Sequence, residues 1–271
     1  MCRALKVSRG GYYSWLERPV SMRAKENQEL LNRIKYIYQH SYQTYGSPRV
    51  TDSLEDEGYA VSRPRVARLM QKHGIAAVCK KKYKNTTDSS HNYPVAPNLL
   101  QRDFEAPAMG KVWVSDITYI YTWQGWLYLT VIIDLYNRQV VGWSMSNSMH
   151  ASKTTVAALR DACGRHVPAP GLIFHSDRGV QYACNDFKEQ LSKFHMLQSM
   201  SAKGYCWDNA VAESFFSTLK KERVYRENYR ARWDARQSIF QYIEIFYNRF
   251  RKHSYLGNKS PVQFLEMKKA A

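Results

Sequence analysis

Apolar residues recur at helical spacing near the start of the chain, where Leu30, Ile34 and Ile37 fall on one side of residues 24–40 and Glu26 and Glu29 occupy the first turn. This predicts an amphipathic helix. Two shorter helices are expected after it: Pro48 to Glu57, closed by Gly58, and Arg63 to His73, with Ser62 as cap, Pro64 in the first turn and Gly74 at the close. Two short helices joined by G-Y-A-V-S have the proportions of a helix-turn-helix, and Arg63, Arg65, Arg68 and Lys72 load the second with positive charge. From Lys80 to about Gly110 the chain is polar, basic and without sustained periodicity, as in a linker able to track phosphates.

The pattern changes at residues 111–147. Three runs rich in β-branched and aromatic residues, the first two separated by a turn at Gln124-Gly125, predict three consecutive strands in a meander. A helix over 151–163, a strand at 172–175, a helix near 185–195, a strand near 197–200 and a helix from Asp208 to about Glu222 are expected next. Together these describe a mixed α/β sheet flanked by helices and preceded by a small all-α domain. Trp113, Trp123, Trp126 and Trp143 are assigned to the core on strand statistics.

Charge narrows the function. Among 271 residues, Lys and Arg number 40 against 23 Asp and Glu, a formal net charge of +17. So large an excess of one sign selects polyanions, nucleic acid first and anionic membrane second, and argues against a generic metabolic enzyme. The excess is concentrated at the ends: +8 over residues 1–105, +3 over 106–225 and +6 over 226–271. Five scattered cysteines form no C-x-x-C pair, so neither a disulfide framework nor structural zinc is expected. With no apolar leader and no stretch long enough to span a bilayer, the chain reads as intracellular, without a membrane partner.

Three acids stand where acids are least expected. Asp116 interrupts an apolar strand, Asp177 sits just beyond the short strand L-I-F-H, and Glu213 lies in the helix D-N-A-V-A-E-S-F-F-S-T-L-K-K. At about 100° per residue, Asn209, Glu213, Ser217 and Lys220 share one helix face, opposite Val211, Phe215, Phe216 and Leu219. A carboxylate within a central strand must be paired, protonated or metal-bound. Carboxylates from separate elements are the donors that Mg²⁺ or Mn²⁺ take, and two such ions can stabilise the attacking and leaving oxygens of a phosphoryl displacement. Asp134, also within a strand, is a rival ligand.

The strings V-W-V-S-D-I-T-Y-I, I-F-H-S-D-R-G-V-Q-Y and D-N-A-V-A-E-S-F-F-S-T-L-K-K-E resemble the integrase core of bacterial insertion-sequence transposases, specifically the OrfB product of the IS-three family. Sixty-one positions separate Asp116 from Asp177, and 35 residues lie between Asp177 and Glu213, the family's hallmark interval. Lys220 matches a family position carrying a basic residue, and C-R-A-L-K-V-S-R-G-G-Y-Y-S-W, Y-G-S-P-R-V and Y-I-E-I-F-Y-N-R-F-R-K-H-S-Y extend the likeness over nearly the whole chain.

The resemblance implies an RNase H-like catalytic core over 111–225, a helical helix-turn-helix-like DNA-binding region over 1–79, a basic linker over 80–110 and a basic C-terminal helical segment over 226–271. It implies that Asp116, Asp177 and Glu213 form a D-D-E triad holding two Mg²⁺ ions, with Mn²⁺ as the alternative. The activity would be strand cleavage at insertion-element ends followed by strand transfer, without a covalent role for Ser176, Tyr182 or Cys206. Expected partners are double-stranded DNA, comprising terminal inverted repeats and target, an OrfA-like protein joined by frameshifting, and further copies of the chain on DNA in the bacterial cytoplasm. His175, Gln181 and Asn209 are expected to support the acids or position DNA, with local satisfaction of His175 an equal alternative. Asp134 matches a family position outside the triad and is assigned a supporting role. Arg249, Arg251 and Lys252, among aromatic neighbours, are expected on a DNA-contacting surface. The competing readings are a non-catalytic DNA-binding regulator and a structure-selective nuclease.

Overall fold

The computed structural model describes residues 2, 4–78, 93–202 and 206–270. The chain divides into two units, 1–77 and 78–271. Of the expected basic linker over 80–110, residues 80–92 lie outside the described residues.

The first unit is helical: α1 (Arg9–Leu16), α2 (Met22–His40), α3 (Ser47–Asp56) and α4 (Arg63–Lys72). Ser8 and Ser21 accept from the backbone of Gly11 and Ala24, capping α1 and α2. Leu30, Leu31, Ile34 and Ile37 of α2 are buried with Val50 and Leu54 of α3 and Val66, Leu69 and Met70 of α4. This is the three-helix core that the periodicity predicts. Helix α1 is additional and buries none of its residues.

The second unit runs β1 (Val112–Thr122), β2 (Gly125–Asp134), β3 (Val140–Ser146), α5 (Thr155–Arg165), β4 (Ile173–Ser176), α6 (Val180–Ala183), α7 (Asn185–Lys193), β5 (Leu197–Met200), α8 (Ala210–Glu222) and α9 (Arg232–Phe240), then a π-helical turn Gln241–Tyr247 and α10 (Pro261–Ala270). The sheet has the order β3-β2-β1-β4-β5, antiparallel across the meander and parallel from β1 through β4 to β5. Trp113, Ile132 and Phe174 meet α5 and α7 through Val156, Leu159, Ala162, Phe187 and Leu191. Gly142 allows this approach, since a Cβ there would lie 2.5 Å from that of Ala162. On the other sheet face, α8 and α9 lie against β1 and β2.

Three expectations need correction. Residues 94–110 are packed structure: Met200 donates to the Pro97 carbonyl, Leu99 donates to Ser199 Oγ, and Leu100 is buried. These irregular contacts cover the outer strand without producing periodicity. Trp123 and Trp126 are 65% and 50% exposed, at the end of a β1–β2 hairpin that runs on beyond β4, whose pairing with β1 stops at Ser115, whereas Trp113 is buried. Finally, Arg251 and Lys252 are buried, and Arg251 is held by two 2.8 Å hydrogen bonds to Glu222, which also accepts from Tyr242 Oη at 2.7 Å. That pairing turns an expected DNA contact into a tie between the C-terminal segment and α8. Arg249 is exposed.

Candidate active site

In the parallel pair β1–β4, Ser115 is in register with Ser176. Asp116 and Asp177 are therefore the next residues along two adjacent segments of the sheet. Strand β4 ends at Ser176, so Asp177 turns away from the ladder and its Oδ1 accepts from Gly179 N at 2.9 Å. Asp116 continues in β1 opposite Val131, on the sheet side facing α8, and accepts from Ile117 N at 2.7 Å. Glu213 lies in the first turn of α8 and Lys220 two turns further on.

The electrostatics unite these residues. Burial pushes the Asp116 carboxyl well above the usual carboxylate range, with Asp177 adding to the rise and Glu213 contributing, against Ile117 N–H and Lys220. Glu213 is raised by burial and by Asp177. Lys220 is lowered by burial, with Asp116 opposing. The three acids thus form one field, in which Lys220 offsets only part of the charge. Among the described residues, no three His, Cys, Asp or Glu side chains close tightly enough to enclose an ion. The carboxylates form an open, mutually repelling oxygen set.

Asn209 is buried at the N-cap of α8, with its Nδ2 donating to the Ser115 carbonyl at 3.0 Å. It ties the helix carrying Glu213 to the residue before Asp116. The face predicted for α8 is therefore divided: Glu213 and Ser217 are exposed, Lys220 is half-buried and Asn209 is enclosed. His175 is wholly buried, its Nδ1 2.8 Å from Ser199 Oγ and its Nε2 3.3 Å from Ser201 Oγ. Burial lowers it to about 4. It is a neutral, locally satisfied histidine, which is the alternative that the sequence left open beside a supporting or DNA-positioning role. Gln181 is half-buried on α6, with its carbonyl accepting from Thr155 Oγ1. Asp134 is buried among Gly110 N, Trp113 Nε1 and Tyr136 N, a structural role.

Sequence reasoning missed three supporting residues. Ser115 Oγ donates to the Val131 carbonyl and lies 2.8 Å from Tyr182 Oη. Burial, together with Asp116 and Asp177, pushes the Tyr182 phenol well up and keeps it neutral. Asp208 accepts from Arg102 Nε, Asn98 Nδ2 and Ala202 N, binding the segment before β1 to the approach of α8. Burial opposes its ionisation, but these partners hold it below the usual range. The only signal for it was an acid at the first position of the predicted helix.

In the helical unit, Arg63, Arg68 and Lys72 of α4 are exposed, whereas Arg65 is engaged with Asn27 and Glu26 of α2 at 3.0 Å each.

Residues 106–206 and 195–261 match family models described as Integrase core domain, and residues 25–83 match an HTH-like domain. The chain is 42% identical over 266 residues to Transposase InsF for insertion sequence IS3A of Escherichia coli (strain K12), spanning 97% of this chain and 92% of the relative. This chain belongs to the IS3 family of insertion-sequence transposases. An Insertion element IS600 uncharacterized 31 kDa protein of Shigella sonnei is also 42% identical, over 98% of this transposase and 97% of its own length. A chain of the simian T-cell lymphotropic virus intasome, solved with a PP2A regulatory subunit, matches this transposase with TM-score 0.50 and 14% identity, covering 86% of this chain and 73% of the other. That likeness shows the shared RNase H-like fold of the integrase core. The transposase is thus a DNA-processing enzyme with an integrase core and a helix-turn-helix-like region. No helix among the described residues is long and apolar enough to cross a membrane.

Proposed function

We propose that Asp116, Asp177 and Glu213 form the D-D-E triad through which this transposase cleaves the ends of its element and joins them to target DNA. The observation carrying this reading is the convergence of three carboxylates: Asp116 and Asp177 directly follow the Ser115–Ser176 register pair, and Asn209 ties the helix bearing Glu213 to Ser115. Such a cluster is costly until a cation enters it. The oxygen-only donor set suits Mg²⁺, with Mn²⁺ an acceptable substitute, and two ions match the chemistry. When bound, the metal supplies activation of the attacking oxygen, water or a DNA 3′-hydroxyl, and stabilisation of the leaving 3′ oxygen. Asp116 and Asp177 would hold their oxygens side by side at the sheet, and Glu213 would close the set from α8. Lys220 would attract a DNA phosphate to the same face, while Asn209 keeps α8 in register.

The exposed cations Arg63, Arg68 and Lys72 in the helix-turn-helix-like region, over residues 1–79, and Arg249 in the C-terminal segment, over 226–271, would bind duplex element ends, including terminal inverted repeats, and target. An OrfA-like partner, supplied by frameshift fusion, and further copies of the chain would complete the assembly in the bacterial cytoplasm.

The test incubates the purified chain, alone and fused to its OrfA-like partner, with labelled element-end DNA in Mg²⁺ or Mn²⁺. A strand-specific nick and a joined product that vanish in Asp116→Asn, Asp177→Asn or Glu213→Gln support the triad. Retained cleavage in any variant removes that residue from it. Binding without cleavage in either metal would replace the reading with that of a regulator.

A further inference from the structure

The β1–β2 hairpin extends past β4 and carries a row of aromatic rings which the fold does not use as core. Tyr119 pairs with Tyr128 across the ladder, and Tyr121 with Trp126. Trp126 stands edge-on to Tyr119 and to Tyr121, with centroids 6.2 and 5.5 Å apart. Edge-to-face packing fixes the rings to one another while leaving flat π-surface available. Tyr121, Trp123 and Trp126 are 62%, 65% and 50% exposed, a concentration of apolar surface that marks a recognition site more than a structural need.

Cations frame this surface. The Arg230 guanidinium lies 5.5 Å from the Trp123 ring centroid, and Arg232 donates from Nε to the Trp126 carbonyl. Neither guanidinium has a carboxylate partner within ion-pair distance among the described residues. Flat aromatic faces beside uncompensated cations match a single strand of nucleic acid, with bases to stack and phosphates to neutralise. A duplex offers only its terminal base pair for stacking.

The row approaches the candidate active site from the other face of the sheet: side chains alternate along β1, so Tyr119 and Tyr121 lie on the face opposite Asp116, with the edge of β1 beyond Ser115 left unpaired by β4 between them. Burial and Tyr128 raise the Tyr119 phenol, and so do Asp177 and Asp116, which places Tyr119 within their field. At about 3.3 Å per residue, Tyr119 and Tyr121 lie roughly 10 and 17 Å along β1 from Asp116, a reach of a few nucleotides.

We propose that the aromatic face of the β1–β2 hairpin is a stacking platform for unpaired bases of a DNA strand leaving or entering the active site. This deepens the transposase reading and rests on it. The platform would hold bases frayed from the duplex near the acids, so that a separated strand stays aligned while the other reacts.

The test measures affinity of full-length Asp116→Asn protein, in EDTA, for an oligothymidine and for a blunt duplex of equal length, using fluorescence anisotropy. Because neither metal nor cleavage is involved, the result is independent of the triad assay. The additional pair Tyr121→Ala/Trp126→Ala should weaken single-strand binding at least tenfold and leave duplex binding within twofold. Tyr121→Phe/Trp126→Phe should restore most of the loss, since a ring without a polar group still stacks. Unchanged oligothymidine binding, or equal loss for strand and duplex, would overturn the proposal. So would a change in sedimentation from oligomer to monomer with DNA affinity intact, which would make this face a contact between copies.

Discussion

Asn209 donates its side-chain amide to the Ser115 carbonyl across 3.0 Å, joining the N-cap of α8 to the residue preceding Asp116. This bond spans 94 positions of sequence. It is a direct link between the strand bearing one acid and the helix bearing another, so the separation of Asp116 from Glu213 depends on it.

Asn209→Ala should therefore lower stability modestly and turnover strongly. Leaving the Ser115 carbonyl without this donor costs about 1–3 kcal/mol, measurable by urea unfolding. Loosening Glu213 should reduce the nicking rate roughly 100-fold, the scale associated with a misplaced reacting group, while affinity for element-end DNA in EDTA stays unchanged. Equal losses in affinity and rate would mean that Asn209 serves the fold alone.

Asp116→Asn should stabilise the metal-free protein at neutral pH. The folded carboxyl is held well above 3.8 by burial, with Asp177 and Glu213 adding to the rise, so the folded state retains a proton that the unfolded state releases. Wild-type stability is accordingly lost as pH rises through the elevated folded value. The asparagine variant lacks this loss and should be the more stable protein at pH 7.5, with the gap closing toward pH 4. Thermal melts in EDTA across this range would check it. Added Mg²⁺ should raise the wild-type melting temperature more than that of the variant.

The sequence reveals what depends on local rules. Runs rich in β-branched and aromatic residues define the meander, and helical periodicity closed by Gly58 and Gly74 defines α2 to α4. Asp116 is visible because it breaks an apolar run, and Phe215, Phe216 and Leu219 define the buried face of α8. What stays hidden depends on distant partners. Arg251 looks like a surface cation until Glu222, 29 positions earlier, is brought against it. Trp126 looks like core because strand aromatics usually are, and only the strand pairing reveals that the hairpin runs on beyond β4. Residues 94–110 have no periodicity to read because their contacts with Ser199, Met200 and Asp208 are single hydrogen bonds from irregular chain.

Arg251→Ala should destabilise the protein far more than it weakens DNA binding. The guanidinium and Glu222 are both buried, and deleting one partner of such a pair costs about 3–5 kcal/mol. Arg249→Ala, at an exposed neighbour, should leave unfolding unchanged and lower the slope of log affinity against log salt by about 1, as expected for one lost phosphate contact. Denaturant unfolding and salt-titrated binding of both variants would separate the two roles. A reduced salt slope in Arg251→Ala protein that remains folded would return Arg251 to the DNA surface.

His175 should make the protein acid-sensitive in the direction opposite to Asp116. Its imidazole is enclosed by Ser199 and Ser201, and burial lowers it from 6.5 to about 4, with Asp208 opposing. Between those values the unfolded chain binds a proton that the folded chain refuses, so stability falls as pH drops from 6.5 toward 4. The full difference corresponds to about 3 kcal/mol at 1.36 kcal/mol per unit. His175→Asn should be less stable than wild type at pH 7, through loss of packing and of a serine contact, yet show a flatter decline below pH 6.5. Comparing urea midpoints of wild type, His175→Asn and Asp116→Asn at pH 7 and pH 4.5 separates the contributions. Removing the histidine should reduce the acid loss, and removing the aspartate should increase it, because the carboxyl's gain on protonation no longer offsets the imidazole's cost.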